Sequence, residues 1–239
     1  MTLELSAIVP VFDEAGNIAS VIAELDAVLT RMGRSYEIIV VNDGSTDATA
    51  TEIALAAASH RFCRELALPC HRGQGEALLA GLHAATGRFL LTLDGDGQND
   101  PADLPALLRP VEQGEFDLMC GWRTERAAPR LRRLMSRAAN RVRRQLLRDG
   151  VHDAGCQLRA MRAEVRSALR PVELMQSFVP ALAAAGGFRV GEAPVRDRPR
   201  RTGRSKYRAT HLAWRPAIAM LRLWRELDAP PPPDLRSRR

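Results

Sequence analysis

The chain has 239 residues, 46% of them hydrophobic, with 35 basic against 28 acidic side chains and four cysteines. That length supports one sizeable core and a small appendage. Cys63, Cys70, Cys120 and Cys156 show no CxxC spacing, so neither a zinc ribbon nor a disulfide framework is suggested and reduced thiols are the expectation. The five histidines form no HExxH pair, so the aspartates remain as metal ligands to consider. The opening "MTLELSAIVPVF" lacks a basic stretch followed by an apolar one and reads as a first strand, without a signal peptide. The charge is split: residues 1–121 carry 18 acids and 7 arginines, a balance of −11, whereas residues 122–239 carry 28 basic residues and 10 acids, a balance of +18. Such asymmetry points to a basic face for an anionic partner (nucleic acid, a membrane surface or a phosphorylated substrate) or, more plainly, to a solvated arginine surface.

Strand-like and helix-like runs alternate through the first half. "LSAIVPVF" (5–12) reads as a buried strand, 15–33 as a helix and "YEIIVV" (36–41) as a second strand. A helix follows in "STDATATEIALAAAS", with Ser45 as its expected cap. Next come a strand at 62–68, a helix at 75–86, the strand "FLLTL" at 89–93, a helix at 102–113 and a strand at 116–121. Repeated strand–helix–strand units imply an α/β fold, a mostly parallel sheet with helices on both faces. Ligands of such folds sit beyond the carboxyl ends of the strands. Three of those ends carry acids: "VFDE" (11–14), "VVNDGSTD" (40–47) and "TLDGDGQ" (92–98).

From Arg130 the pattern changes. Arg130, Arg133, Arg137, Arg141, Arg144 and Arg148 recur every three or four residues, while Leu131, Met135, Ala138, Val142 and Leu146 recur on another face. This is an amphipathic helix whose arginine stripe is either solvated or laid against phosphates or lipid headgroups. Residues 151–200 read as α+β material closing the domain and ending in the strand "FRVGEAPV". The segment "HLAWRPAIAMLRLWREL" (211–227) is apolar on a broad face and carries Arg215, Arg222 and Arg225. About 20 uninterrupted apolar residues are needed to cross a bilayer, so this stretch can lie in an interface but cannot span it. The terminal "APPPPDLRSRR" reads as a stiff, disordered tail. The expected organisation is a domain over 1–207, an amphipathic and possible interfacial helix over 208–228, and a tail over 229–239.

The stretch "GRFLLTLDGDGQNDP" (87–101) drives an apolar strand straight into three aspartates. Gly95 and Gly97 permit the tight backbone that turns Asp94 and Asp96 toward one point. Carboxylates completed by phosphate oxygens and water are how magnesium or manganese is usually held. The plainer reading is a polar turn capping the next helix, and Asp100 before Pro101 is expected to serve as that cap.

"AIVPVFDE", "VVNDGSTD", "HRGQGEALLAGLHAATG" and "LTLDGDGQNDP", in this order, resemble the inverting family 2 glycosyltransferases of the GT-A (nucleotide-diphospho-sugar transferase) fold. "GWR" (121–123), "RRLMSRAAN" (132–140), "DAGCQLRAMR" (153–162), "EAPV" (192–195) and "RTGRSKY" (201–207) narrow the resemblance to the polyprenyl-phosphate sugar transferase branch, the dolichyl-phosphate mannose synthase type, over roughly residues 5–207. The resemblance implies that Pro10, Phe12, Glu14 and Asp43 line the base and ribose of a nucleotide sugar, with Phe12 standing where this branch often has Tyr. It implies that Asp94, Asp96 and Gln98 surround Mg2+ or Mn2+ and the donor diphosphate. Arg123, Arg132 and Ser136 would face an acceptor phosphate, and Arg201 and Lys206 would close over the donor phosphates, so that Asp96, Arg123 and Lys206 carry catalysis. Arg72 falls on the nucleotide-sugar side, and Asp153 and Arg159 match motifs with a less definite role. Periodicity by itself points to Arg133 or Arg137 in place of Arg132.

The chemistry favours a phosphate acceptor independently. A hydroxyl acceptor needs a general base poised near neutral pH, whereas a phosphate monoester, with a second pKa of about 6, is already an anionic nucleophile. It needs positive charge to sit beside a diphosphate, and arginine forks suit that recognition. Lys206 is the one lysine beside 34 arginines, which marks it as a point-charge phosphate contact or as a chance survivor. The expectation is metal-dependent, inverting transfer from a nucleotide sugar (GDP-mannose or a UDP-sugar) to a polyprenyl phosphate. It would take place at the cytoplasmic membrane face, with the 208–228 helix or a membrane partner giving peripheral attachment. The alternatives are a family 2 transferase using a saccharide or other soluble hydroxyl, for which Asp153 is the candidate base, and a non-catalytic anion-binding protein. Nucleic acid is not an expected partner, since aromatics are 5% of the chain, the first half is acidic and no nucleic-acid motif is present.

Overall fold

The computed structural model describes residues 3–124, 140–199 and 215–228. Two compact units divide the chain, residues 1–204 and 205–239. In the first, strands β1 (Leu5–Val11), β2 (Tyr36–Asn42), β3 (Cys63–Ala67), β4 (Phe89–Thr92), β5 (Leu118–Arg123), β6 (Arg159–Arg162) and β7 (Val190–Val195) form one sheet in the order β3-β2-β1-β4-β6-β5-β7. Only β6 runs against its neighbours, β4 and β5; the other pairings are parallel. Helices α1 (Ile18–Arg31), α2 (Thr49–Ser59), α3 (Gln74–Ala84), α4 (Leu104–Glu112), α5 (residues 140–147) and α6 (Met175–Ala185) belong to the same unit. The second unit contains α7 (Arg215–Asp228). No described helix is long and apolar enough to cross a membrane.

β1 is buried at every position because β2 and β4 bond both its edges and helices cover both its faces. Leu5, Ala7, Val9 and Val11 share one core with Ile18, Ile22, Leu25 and Leu29 of α1 and with Leu104, Leu107 and Leu108 of α4. On the other face α3 lies directly on the sheet: a methyl at Gly81 would come within 2.4 Å of Ile8 Cγ2 and 2.8 Å of Val41 Cγ2. Packing of this kind fixes where the strands end, and therefore where the acidic loops after β1, β2 and β4 meet.

Asp100 caps as expected, its side chain accepting from the Ala102 N–H at 3.0 Å ahead of a 3-10 turn, Pro101–Asp103, that leads into α4. Ser45 does not cap. The helix α2 begins later, with Ala48 at its N-cap position, and Asp47 Oδ1 accepts from the Thr49 N–H at 2.9 Å. Ser45 Oγ instead accepts from the Asp13 N–H at 3.0 Å, so a long-range loop contact takes the hydroxyl that local pattern assigns to the helix. Of the arginine-striped segment, residues 140–147 are helical. The part through Arg137 lies outside the described residues, as do residues 211–214 and the 229–239 tail.

Candidate active site

Two glycines shape the turn that follows β4. A Cβ at Gly95 would stand 2.3 Å from Val11 Cγ1, and Gly97 has φ +76°, so Asp94 and Asp96 are brought hard against the end of β1. The turn closes on itself: the Asp94 N–H donates to Asn99 Oδ1 at 2.9 Å and the Gln98 N–H to Asp96 Oδ1 at 3.1 Å. From α3, Gln74 Nε2 donates to Asp94 Oδ1 at 2.6 Å. Asp94 is hemmed in by protein atoms yet open on one side, and Asp96 is buried at 9% exposure. Burial first, then the neighbouring Asp96 carboxylate, pushes Asp94 up to about 7; Glu14 adds to the rise, and Arg123 and Arg159 oppose it. Two carboxylates that resist ionising together form a natural seat for a cation. Among the described residues, no three His, Cys, Asp or Glu side chains gather to hold a metal on their own. The side chains this turn offers a cation are two hard carboxylates with Gln98 alongside. They fit Mg2+ or Mn2+ whose remaining positions are taken by phosphate oxygens and water.

At the ends of β1 and β2 the geometry is that of a cradle. Asp43, 2% exposed, accepts from the Arg72 and Gly73 N–H groups at 2.8 Å each and pairs with His71 Nδ1 at 2.8 Å. The His71 ring stacks on Phe12 with centroids 3.8 Å apart and 26° between planes. Asp13 takes the left-handed backbone (φ 46°), and its Oδ1 accepts from the Thr46 N–H at 2.7 Å, tying the loop after β1 to the loop after β2. The Glu14 N–H donates to Thr49 Oγ1 at 2.8 Å, and its carboxylate accepts from Asn17 Nδ2 at 2.9 Å. Pro10 is buried in β1 opposite Val41, while the side chain of Arg72 is exposed.

Across the turn, Arg123 at the end of β5 donates from Nε and Nη2 to the two oxygens of Asp153 at 2.8 and 3.2 Å. Its Nη1 lies 3.9 Å from Asp197 Oδ1. Burial lowers the pKa of this guanidinium, but the pairing with Asp153, helped by Asp197, outweighs burial and raises it. Glu192 of β7 holds the next layer, accepting from the His152 and Asp153 N–H groups at 2.7 and 3.0 Å. Arg159 is fully buried and donates to Gln157 Oε1 (3.0 Å) and to the carbonyls of Ala154 (3.2 Å) and Gln176 (2.7 Å). It braces the 154–157 loop against α6.

Asp96, Glu14 and Arg123 thus all lie close enough to act on the charge of Asp94. Arg132, Ser136, Arg201 and Lys206, together with Arg133 and Arg137, lie outside the described residues. Three contributors were not among the residues expected from sequence. His71 and Gln74 both sit inside the quoted motif "HRGQGEALLAGLHAATG", of which only Arg72 was given a role, whereas the segment around Asp197 has no local signal and is recruited by tertiary contacts.

A family model for glycosyl transferase family 2 matches residues 6–170. The dodecaprenyl-phosphate galacturonate synthase of Rhizobium johnstonii is 35% identical over 210 residues, covering 86% of this chain and 62% of that protein. An undecaprenyl-phosphate 4-deoxy-4-formamido-L-arabinose transferase of Edwardsiella ictaluri is 34% identical over 205 residues, covering 85% and 62%. The chain therefore spans 62% of the length of these two relatives. Among solved structures, glucosyl-3-phosphoglycerate synthase from Mycobacterium tuberculosis, in complex with Mn2+, UDP and phosphoglyceric acid, matches with a TM-score of 0.72 over 95% of this chain and 80% of that one, at 22% identity. That likeness gives the fold, the mostly parallel α/β GT-A architecture. With the fold, the family model and relatives above 30% identity in agreement, the chain belongs to glycosyl transferase family 2.

Proposed function

We propose that this chain carries out metal-dependent, inverting transfer of a sugar from a nucleotide sugar to a polyprenyl phosphate at the cytoplasmic face of the membrane. The observation that carries the reading is the Asp94–Asp96 turn, where two carboxylates crowd each other at the carboxyl end of a central strand. Such a site is completed by the diphosphate of a donor. Asp94, Asp96 and Gln98 would hold Mg2+ or Mn2+, and the bound ion would offset the charge of the leaving diphosphate. The named Mycobacterium tuberculosis enzyme, solved with Mn2+ and UDP on the same fold, supports this reading.

The chain's own residues would do the rest. The Phe12–His71 stack presents a flat face for a base, while Asp43 keeps the loop bearing His71 in place and Pro10, Glu14 and Arg72 line the approach. On the acceptor side, both oxygens of Asp153 are engaged by Arg123, so Asp153 is poorly placed to take a proton from a hydroxyl. This favours an acceptor that arrives already anionic, and the two relatives' names, both specifying a polyprenyl phosphate, point the same way. Arg123 would meet that phosphate through Nη1, joined by Arg132 and Ser136, with Arg201 and Lys206 closing over the donor. The catalytic domain would cover 1–207, the 208–228 helix or a membrane partner would supply attachment, and 229–239 would be a tail. Liposome flotation of the purified chain separates those two modes of attachment.

The test is transfer from a panel of radiolabelled nucleotide sugars to undecaprenyl phosphate in detergent, with Mg2+ or Mn2+ and with EDTA. A glycolipid formed only with metal supports the reading and identifies the donor. Donor hydrolysis or a soluble product, with no glycolipid from any donor, would overturn the lipid-phosphate assignment.

A further inference from the structure

The three residues after β7 tie the metal turn to the rest of the domain. Asp197 forms an antiparallel bridge with Asn99, the Arg198 N–H donates to the Gln98 carbonyl at 3.0 Å, and Gln98 Nε2 donates to the Arg198 carbonyl at 3.4 Å. Side chains then alternate as in a strand. Arg198 spans Asp100 at 2.7 Å and Glu24 of α1 at 2.6 Å, while Asp197 reaches the other way, toward Arg123. Arg196 joins the first side, reaching Asp103 at 2.8 Å and Asp100 at 3.1 Å. The groove behind Arg198, about 200 Å³, is smaller than the roughly 300–1,000 Å³ of small-molecule sites. The guanidinium is spent on internal pairs, not offered to a ligand.

We propose that Arg198 is a positioning residue for the Asp94–Asp96 turn, and the proposal rests on the metal–diphosphate reading of that turn. The entry of the turn is held by Gln74 and Asn99, both bonded to Asp94. Its exit is held by the Arg198 backbone at Gln98 and the Arg198 fork at Asp100, itself 2% exposed. Releasing the exit frees Gln98 and Asp96, whose mutual bond depends on the shape of the turn. Partners that orient metal ligands in this way typically control affinity by about 10–100-fold. Lysine at 198 could reach Asp100 or Glu24 but not fork between them. Arg196, with 62% of its side chain exposed, pairs with Asp100 and Asp103 on the turn's own side, whereas Arg198 ties Asp100 to Glu24 of α1, so losing Arg196 leaves the anchor to α1 in place.

Calorimetric binding of Mn2+ with UDP and with GDP, measured on wild type, Arg198→Ala, Arg198→Lys and Arg196→Ala alongside thermal melting, tests the assignment. Expected are a loss of about tenfold or more in Arg198→Ala, an intermediate loss in Arg198→Lys, and a change within about twofold in Arg196→Ala. Wild-type affinity in Arg198→Ala, or equal losses in Arg198→Ala and Arg196→Ala, would overturn it. Should Arg198→Ala fail to fold, Arg198→Lys decides, and wild-type affinity there overturns the proposal. A wild-type protein that binds neither nucleoside diphosphate with Mn2+ would overturn both this proposal and the reading it rests on; normal wild-type binding with an unaffected Arg198→Ala removes this proposal alone.

Discussion

The two halves of the sheet hold their functional side chains by different means. Along β3-β2-β1-β4 the acids follow buried parallel strands, and backbone amides of neighbouring loops fix them: Asp43 by Arg72 and Gly73, Asp13 by Thr46. Along β6-β5-β7 the work is done by ion pairs and carboxylate clamps between distant segments, Arg123 with Asp153, and Glu192 with the 152–153 backbone. Topology builds the proposed donor side, whereas charge pairing builds the proposed acceptor side. A substitution that removes a charge should therefore be read out as lost chemistry on the first side and as lost stability on the second.

The largest expected effect lies on the donor side. Asp96→Asn should lower transfer by about a thousandfold, since the metal supplies several kcal/mol of transition-state stabilisation, and should leave the fold intact. Asp94→Asn should lose transfer similarly yet gain stability. With a folded value of about 7 against an ordinary 3.8, the stability contributed by protonated Asp94 is fully present below 3.8 and is lost as pH rises through 7. An asparagine cannot ionise, so at pH 8 this variant should be more stable than wild type by on the order of 2 kcal/mol, measured by urea denaturation. A destabilised Asp94→Asn would mean that the two carboxylates do not crowd each other.

Next comes Arg123→Ala on the acceptor side. It removes the fork on both oxygens of Asp153, which is 3% exposed, and should destabilise the domain by about 3 kcal/mol, much of it regained when Asp153 is also replaced by an apolar residue. Additive losses in that double-mutant cycle would erase the contrast between the halves. A third effect is pH dependence on the donor side: Mn2+ affinity should rise as pH passes through about 7, because Asp94 must release its proton before it can ligate. Titrations at pH 6 and 8 that give equal affinity would contradict it. Smallest is His71→Ala, which removes the ring stacked on Phe12 and should weaken nucleoside diphosphate binding by about 1 kcal/mol without touching metal dependence.

Legibility in the sequence follows the same division. Buried parallel strands advertise themselves as apolar runs, so β1, β2 and β4 and the acid-bearing loops that follow them could be read directly. Short β6 was not separable from its surroundings, because it is four residues long and opens with a fully buried arginine. Glu192 and Arg198 matter through partners tens of positions away, and no window of sequence shows that pairing. Ser45 was misread for the same reason: its loop partner, Asp13, is 32 positions distant.

Mn2+ binding to the purified chain, with and without a nucleoside diphosphate, probes the Asp94–Asp96 turn most directly. A turn of two carboxylates that relies on phosphate oxygens to complete the ion predicts weak binding of Mn2+ alone, tight binding of Mn2+ and diphosphate together, and loss of that coupling in Asp96→Asn. Diphosphate binding that is equally tight in EDTA, or Mn2+ binding indifferent to diphosphate, would contradict it.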